Sequence, residues 1–312
     1  MPNRKLTIFL CLMVAGGAEL LASGPGTTGA QILNLNTSAR SSAMGHAMGA
    51  VAGDANAIVY NPAALHSIKG SHAQLSHLLY YLDSKMSALS YGHGLDTADI
   101  GMGFKLKLFS SEDVERDSLG ENIGEFDIRF MHFSLGAGMA VTERLAAGAA
   151  VKVISEDYNL QRPVKASALA CDLGLWLKGL GGDSFGFVIK NLGPKIEVGL
   201  DEVDLDRKVA LAGAHDMETY LFAWEVFTSR QHSIGFQAGM EVDIFDSLRL
   251  RGGGSYVDSF DFSLGFGIPW QSAPYTILHL GTHHPTIWEL DYAFYPHMDM
   301  GKAHRVSLGA SF

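Results

Sequence analysis

Residues 234 to 244 read Ile-Gly-Phe-Gln-Ala-Gly-Met-Glu-Val-Asp-Ile, with an apolar side chain at every second position. The same two-residue period returns along the chain. Phe260, Phe262, Leu264, Phe266 and Ile268 alternate with Asp261, Ser263, Gly265 and Gly267. Ile100, Met102, Phe104, Leu106 and Leu108 alternate with Gly101, Gly103, Lys105 and Lys107. Successive side chains of a strand point to opposite faces, so each segment has one apolar face and one polar or very small one. Counted this way, about fourteen strands follow Gly70. They run near 70–80, 86–93, 98–110, 125–140, 145–158, 164–177, 184–191, 207–216, 219–227, 232–244, 248–257, 260–268, 277–294 (in one or two pieces) and 304–312. Each strand with its connection takes roughly 17 residues, which suits membrane strands of ~9–11 residues.

Connections alternate between tight ones, such as Thr142-Glu143-Arg144 and Phe245-Asp246-Ser247, and long charged ones, at 111–125, 156–165 and 194–206. In segment 125–140, Phe126, Ile128 and Phe130 share one face whereas Met131, Phe133, Leu135 and Met139 share the other. A β-bulge near Phe130 would produce that slip.

Residues 24–69 have a different character. They are rich in Ala, Ser, Gly and Asn and lack the strand period. One short helix is expected through Ser38 to Ala52. A second is expected from Asn61, where Asn61 can cap and Pro62 occupies the first helical position. Residues 1–23 read as a secretory signal: Arg4 and Lys5, then an uncharged run from Leu6 to Ala18 that is too short to span a bilayer. The expected organisation is therefore signal segment 1–23, N-terminal segment 24–69 and barrel 70–312. Only Cys171 remains outside the signal segment, which rules out an internal disulfide.

An alternating pattern fits a soluble sandwich with a buried apolar face, or a membrane barrel with lipid outside and a polar lumen. The export signal favours the membrane. So do the charges of both signs on the polar face: Lys105, Lys107, Arg129, Lys152, Asp172, Glu241, Arg249, Arg251, Asp261 and Arg305. The chain closes Val306-Ser-Leu-Gly-Ala-Ser-Phe312, an amphipathic strand ending in an aromatic residue, like the terminus recognised by bacterial outer-membrane assembly machinery. Tyr80, Tyr81, Tyr158, Trp176, Trp224, Tyr256 and Tyr292 stand near strand ends and are candidates for interfacial girdles, or for ordinary packing.

Composition changes the picture in two ways. Only 18% of residues are charged, and the net charge is −10. The first suits a lipid-exposed surface, and the second argues against nucleic acid as a partner, which needs clustered Lys and Arg. The 36 glycines sit within strand patterns, where they permit bending and close approach. The thirteen histidines, five of them late (His279, His283, His284, His297 and His304), have no metal-site spacing. Asp201, Glu202, Asp204 and Asp206 form an acidic run without the order of a calcium loop, as expected of a solvated connection. No nucleophile elbow, phosphate-binding loop or zincin helix occurs, so no enzyme chemistry and no cofactor are expected.

Gly29 to Gly45, with Ser38, Ala39, Arg40, Met44 and Gly45, leads into Ala52-Gly-Asp54-Ala-Asn56-Ala-Ile-Val-Tyr-Asn61-Pro62-Ala63-Ala-Leu65. This stretch resembles the opening signature of the PorV/PorQ (UPF0164) outer-membrane proteins, relatives of FadL-type transporters. Lys190-Asn191-Leu192-Gly193-Pro194 resembles the family's "QNLGP" turn. Asp291-Tyr292-Ala-Phe294 and Gly301-Lys-Ala-His304-Arg305 resemble its closing strands. His46 departs from the pattern, standing where a second glycine is usual, and Pro269 to Pro285 looks like added length. The resemblance implies a transmembrane antiparallel barrel of fourteen strands in the outer membrane of a Gram-negative-type bacterium, plugged by its N-terminal segment. It implies either a type IX-like secretion component that binds exported cargo and partner proteins, or a FadL-like channel for hydrophobic small molecules. In the latter, Asn61, Pro62 and Ala63 belong to the plug. Arg40 is expected to meet a lumen carboxylate.

Overall fold

The computed structural model describes residues 24, 26–95, 99–116, 118–159, 163–199, 201–245, 247–257, 259–272, 275–277, 281–283, 285–297 and 301–312. The expected signal segment therefore lies outside the described residues, as do His279 and His284. The barrel strands are β1 (Ser71–Leu79), β2 (Lys85–Leu95), β3 (Ile100–Arg116), β4 (Asn122–Ala140), β5 (Leu145–Asn159), β6 (Val164–Lys178) and β7 (Asp183–Leu192). They continue as β8 (Lys208–Asp216), β9 (Tyr220–Ser229), β10 (Gly235–Ile244), β11 (Leu248–Val257), β12 (Ser259–Gln271), β13 (Ile287–His297) and β14 (Gly301–Ser311). Each pairs antiparallel with its neighbours in sequence, and β14 pairs with β1, which closes a fourteen-strand up-and-down barrel. Closure removes every unpaired sheet edge, which a sheet in lipid cannot leave exposed. At the seam, Ser71 and Phe312 exchange backbone hydrogen bonds of 2.7 and 2.9 Å.

The inside-out arrangement follows from the alternation. Leu75, Met102, Leu135, Val151, Leu169, Phe222, Phe236 and Leu264 point outward and are exposed. Lys105, Lys107, Lys152, Asp172, Glu241, Arg251, Asp291 and Arg305 point inward and are buried. A soluble barrel would reverse these faces. Arg129 is the exception among the expected lumen charges. It projects outward from β4, 74% exposed, and pairs with Asp127 at 2.7 Å.

The expected bulge near Phe130 is absent. The pairing of β4 with both neighbours runs unbroken there, and the register shifts only between Glu115 and Arg116. Phe130 faces inward because it has something apolar to meet. It stacks on Phe109, with ring centroids 5.6 Å apart, and packs beneath a cluster containing Ile32, Ile154 and Leu205. The connections expected at 111–125 and 156–165 are largely strand, because β3, β4, β5 and β6 are longer than the others. Four candidate girdle aromatics also turn inward, Tyr80 among them beside Tyr81, with ring centroids 4.4 Å apart. Tyr81 packs on Leu78 and Met86, Tyr158 donates to Glu156 at 3.0 Å, and Trp176 meets the N-terminal segment. Tyr256 stays outside, and Tyr292 bonds with His304 at 2.7 Å on the outer face.

The N-terminal segment lies within the barrel. It begins at the end where the long connections gather, where Thr28–Gly29 pairs parallel with Asp204 and Leu205 in the 193–207 connection. It then runs down the lumen to the opposite end, where a 3₁₀ helix at Pro62–Ser67 leads into β1. The helix expected through Ser38 to Ala52 spans only Ala39–Ala43. Gly45 and His46 stop it, since both adopt left-handed backbone, with φ of 58° and 74°. That is also why glycine suits the His46 position. A further helical turn, Ala57–Tyr60, was not expected from the pattern.

Candidate functional site

Two devices let a chain segment sit inside a barrel this narrow. The first is a set of inward glycines opposite the segment's backbone. A Cβ at Gly101 would overlap the carbonyl of Leu65, one at Gly138 that of Pro62, and one at Gly239 that of Met44. Gly174 faces the Asn61 side chain, and Gly186 the carbonyl of Gly49. These glycines occupy the polar phase of the strand alternation. Gly101 lies in the alternating stretch read at the outset, although the pattern alone suggests bending rather than a bed for another segment. At Gly148 an added Cβ would lie 2.5 Å from the Pro62 carbonyl carbon and against the Ala63 nitrogen. Backbone cannot yield as a side chain can. Gly148→Val is therefore expected to loosen residues 60–66 at a cost of about 1–3 kcal/mol. Limited proteolysis that cuts the variant's N-terminal segment faster than the parent's checks this; equal rates refute it.

The second device is polar anchoring, in which each motif residue of the segment takes part. Ser38 caps the Ala39–Ala43 helix by accepting from the Ser41 amide at 3.2 Å. Ala39 donates its amide to Ser307 at 2.8 Å, and its methyl packs with Ala43 against Ala293. Met44 is buried, and the Gly45 amide donates to Ser263 at 3.3 Å. Asp54 accepts from the Asn56 amide at 2.6 Å. Asn56 donates to Gln74 at 2.8 Å and accepts from Ser90 and from the Lys105 ammonium. Asn61 caps the Pro62 turn by accepting from Ala63 at 3.1 Å, and its amide donates to the carbonyls of Gly49 and Leu175, both at 2.9 Å. A buried carboxamide with its groups satisfied in this way fastens one backbone to another. Asn61→Ala should cost about 1 kcal/mol for the lost cap and more for the stranded carbonyls. A lowered thermal midpoint measures it.

Arg40 carries the strongest contact. Its Nε and Nη2 donate to both oxygens of Glu241 at 3.0 and 2.9 Å, and Asp54 stands 3.7 Å away. Glu241 also accepts from Arg251 at 2.5 Å; Arg251 continues to Asp291 and, at 2.7 Å, to Glu289. Arg249 bonds Glu289 at 2.8 Å. Burial would by itself lower the Arg40 pKa, but Glu241 and Asp54 outweigh it, so the guanidinium stays charged.

The turn landmark has a comparable role nearer the other end. Asn191 adopts left-handed backbone, with φ of 60°, and Gly193 abuts the carbonyl of Leu169. The Asn191 amide donates to Asp172 at 2.8 Å, and its side chain accepts from Lys152 at 2.7 Å and donates to the Asp206 carbonyl. Pro194 follows as the chain leaves β7. In the acidic run, Asp204 pairs with Arg230 at 2.8 Å and Asp206 accepts from Asn34 at 3.0 Å, which ties the 193–207 connection to Arg230 and to the N-terminal segment. Among the described residues, no group of three His, Cys, Asp or Glu is arranged to hold a metal.

Sequence reasoning passed over several lumen residues: Trp176, which donates to the Ala50 carbonyl at 2.8 Å; Lys208, paired with Glu225 at 2.7 Å; Lys190; and His132. Each sits in the inward phase of its strand, which was the signal available. His46 lies among them. Burial, with Lys208 and Arg305 acting the same way, lowers its pKa to about 4 from 6.5. The folded chain thus keeps His46 neutral while the unfolded chain takes up a proton as pH falls below about 6.5. Stability is accordingly expected to fall from pH 6.5 towards about 4 and to fall less in His46→Asn. Thermal midpoints across that range check it; parallel curves refute it.

The chain is thus a closed antiparallel barrel of fourteen strands, apolar outside and charged within, with its own N-terminal segment threaded through the lumen. Among solved structures it is similar to a Pseudomonas aeruginosa FadL homologue, with a TM-score of 0.62 at 12% identity over 88% of this chain and 97% of that one. It is also similar to the Ralstonia pickettii toluene transporter TbuX, with a TM-score of 0.58 at 13% identity over 88% and 97%. The Pseudomonas putida toluene transporter TodX gives a TM-score of 0.58 at 15% identity over the same shares. No protein-family model and no curated protein matches the chain. The shared fold therefore rests on structure, and the resemblance to PorV/PorQ on the motifs alone.

Proposed function

We propose that this protein is a non-enzymatic outer-membrane channel of the FadL-like kind for hydrophobic small molecules, with residues 24–69 as its plug. The observation that carries the reading is the fourteen-strand barrel with a glycine-bedded, polar-anchored segment inside it, and its overall fold is similar to that of structures described as toluene transporters. The long-connection end is then the outer one, and the short turns face the periplasm of a Gram-negative-type bacterium. The outer apolar band meets outer-membrane lipid. Uptake of a small aromatic hydrocarbon by cells expressing the chain tests the reading. Uptake equal to that of cells lacking it, with the barrel present in the outer membrane, sinks it.

A second reading, a PorV-like secretion component, is favoured by a specific feature. The segment is tied by bidentate Arg40–Glu241 and by Asn56 and Asn61, a fastening that resists opening. Affinity capture that recovers secretion-system proteins or exported cargo, together with a secretion defect on deletion and unchanged hydrocarbon uptake, would shift the assignment to it.

A further inference from the structure

Above the Ala39–Ala43 helix, the lumen holds two adjoining chambers of about 230 and 210 Å³, which share Asn34, Leu35, Asn36, His46 and Ser255 as walls. Their charges do not balance. Lys107, Lys152, Lys190 and Lys208 line the first, and Arg305 lines the second. The carboxylates on the walls are Glu225, which takes Lys208 at 2.7 Å, and Asp261. Asp172, behind the wall, takes Lys152 at 2.6 Å. Five basic side chains thus face three carboxylates, two more than those carboxylates can match.

The unmatched groups are specific. Lys107 has only the carbonyls of Ile32 and Leu35, both at 2.9 Å. Lys190 lies over the face of Tyr60, 5.8 Å from the ring centroid, with Glu225 and Asp172 as its more distant charges. Arg305 is 1% exposed and bonds Tyr295, yet among the described residues its Nε and Nη1 have no hydrogen-bond partner. His132, also 1% exposed, leaves Nδ1 without one. Buried guanidinium donors left unpaired are costly, and native structures satisfy them. The neutral walls, Asn34, Asn36 and Thr37 among them, add short polar groups to the same space.

We propose that the two chambers form one binding site for a small dianionic oxyanion of the phosphate class, free or as the phosphate of a lipid. Two negative charges and several acceptor oxygens match the excess charge and the unpaired donors. Chamber size fits a phosphate with a short substituent. The site uses the upper lumen and is independent of what crosses the barrel, so hydrocarbon uptake and anion binding can fail separately.

The test is calorimetric titration of the full chain, folded in nonionic detergent, with inorganic phosphate at constant ionic strength. Saturable binding is expected, displaced by sulfate and unaffected by chloride. Lys190→Met and Arg305→Met should each weaken it about tenfold or more, while Lys190→Arg should retain it. Heat-modifiable migration on gels verifies that each variant is folded. If neither Met variant folds, phosphate binding by the unmodified chain decides. Nanodiscs containing phosphatidic acid, compared with phosphatidylcholine alone, separate the sources: reduced phosphate binding in the former assigns the site to lipid phosphate, and equal binding to a free anion. Absence of saturable binding to the folded chain, or undiminished binding in both folded Met variants, overturns the proposal.

Discussion

Glu241→Gln releases the N-terminal segment while the barrel stays closed. This is the largest change expected from a single lumen substitution. The glutamate accepts from Arg40 on the segment and from Arg251 on β11, and is 8% exposed in its side chain. Removing one partner of a buried ion pair costs about 3–5 kcal/mol, because the remaining charge is left uncompensated. Asp291 and Glu289 still hold Arg251, so the cost falls on Arg40. Arg40 keeps Asp54 at 3.7 Å, is 20% exposed in its side chain and can recruit water, so its charge is only partly stranded and the effect lies near the lower end of that range. The expected readout is faster hydrogen exchange and proteolysis across residues 38–48, higher conductance in planar bilayers, and unchanged heat-modifiable migration. Adding Arg40→Met to Glu241→Gln should cost less than the sum of the two, since the stranded charge is gone. Additive effects would show that the pair is not the fastening.

Leu264→Arg is expected to impair membrane insertion by about 2–4 kcal/mol, the cost of a cation near the bilayer midplane. Leu264 stands mid-strand on β12, 55% exposed on the outer face, between Gly252 and Phe294 on the neighbouring strands. Phe266→Arg should act alike. Polar substitutions at Ser263 or Gly265, on the inner face, should be milder for insertion. The structure adds a second readout there. Ser263 donates to the Ala43 carbonyl at 3.1 Å, and a Cβ at Gly265 would come within 2.6 Å of the Ala43 methyl. Gly265→Ser is therefore expected to insert normally and to loosen the Ala39–Ala43 helix. Folding yield into vesicles and proteolysis of the N-terminal segment report the two effects separately. Equal insertion defects at Leu264 and Gly265 would refute the assignment of faces.

The strands were legible because their evidence is local. A two-residue period read over ten residues assigns faces without knowledge of any partner, and so Leu264 and Glu241 fall on opposite sides as expected. The cap at Asn61 was legible for the same reason, since its side chain bonds an amide two residues away. The Ser38–Ala52 helix was overextended because its stop lies in the fit of Gly45 between the backbones of Ala238 and Gly254, a contact across the barrel. Phe130 misled for a related reason. An apolar residue in the lumen phase looks like a register slip until the cluster around Ile32 is in view.

By itself, then, the sequence determined a closed barrel of about fourteen strands, which face of each strand meets lipid, and a non-strand segment ahead of it carrying Arg40 and Asn61. These depend on periods and neighbours along the chain. Only the tertiary structure decided that Glu241 is the partner of Arg40, that the inward glycines are a bed for a threaded segment, and that Lys107, Lys190 and Arg305 line two adjoining chambers. Those contacts join residues tens to hundreds of positions apart. Barrel closure and strand register bring them together, and no local pattern encodes that geometry.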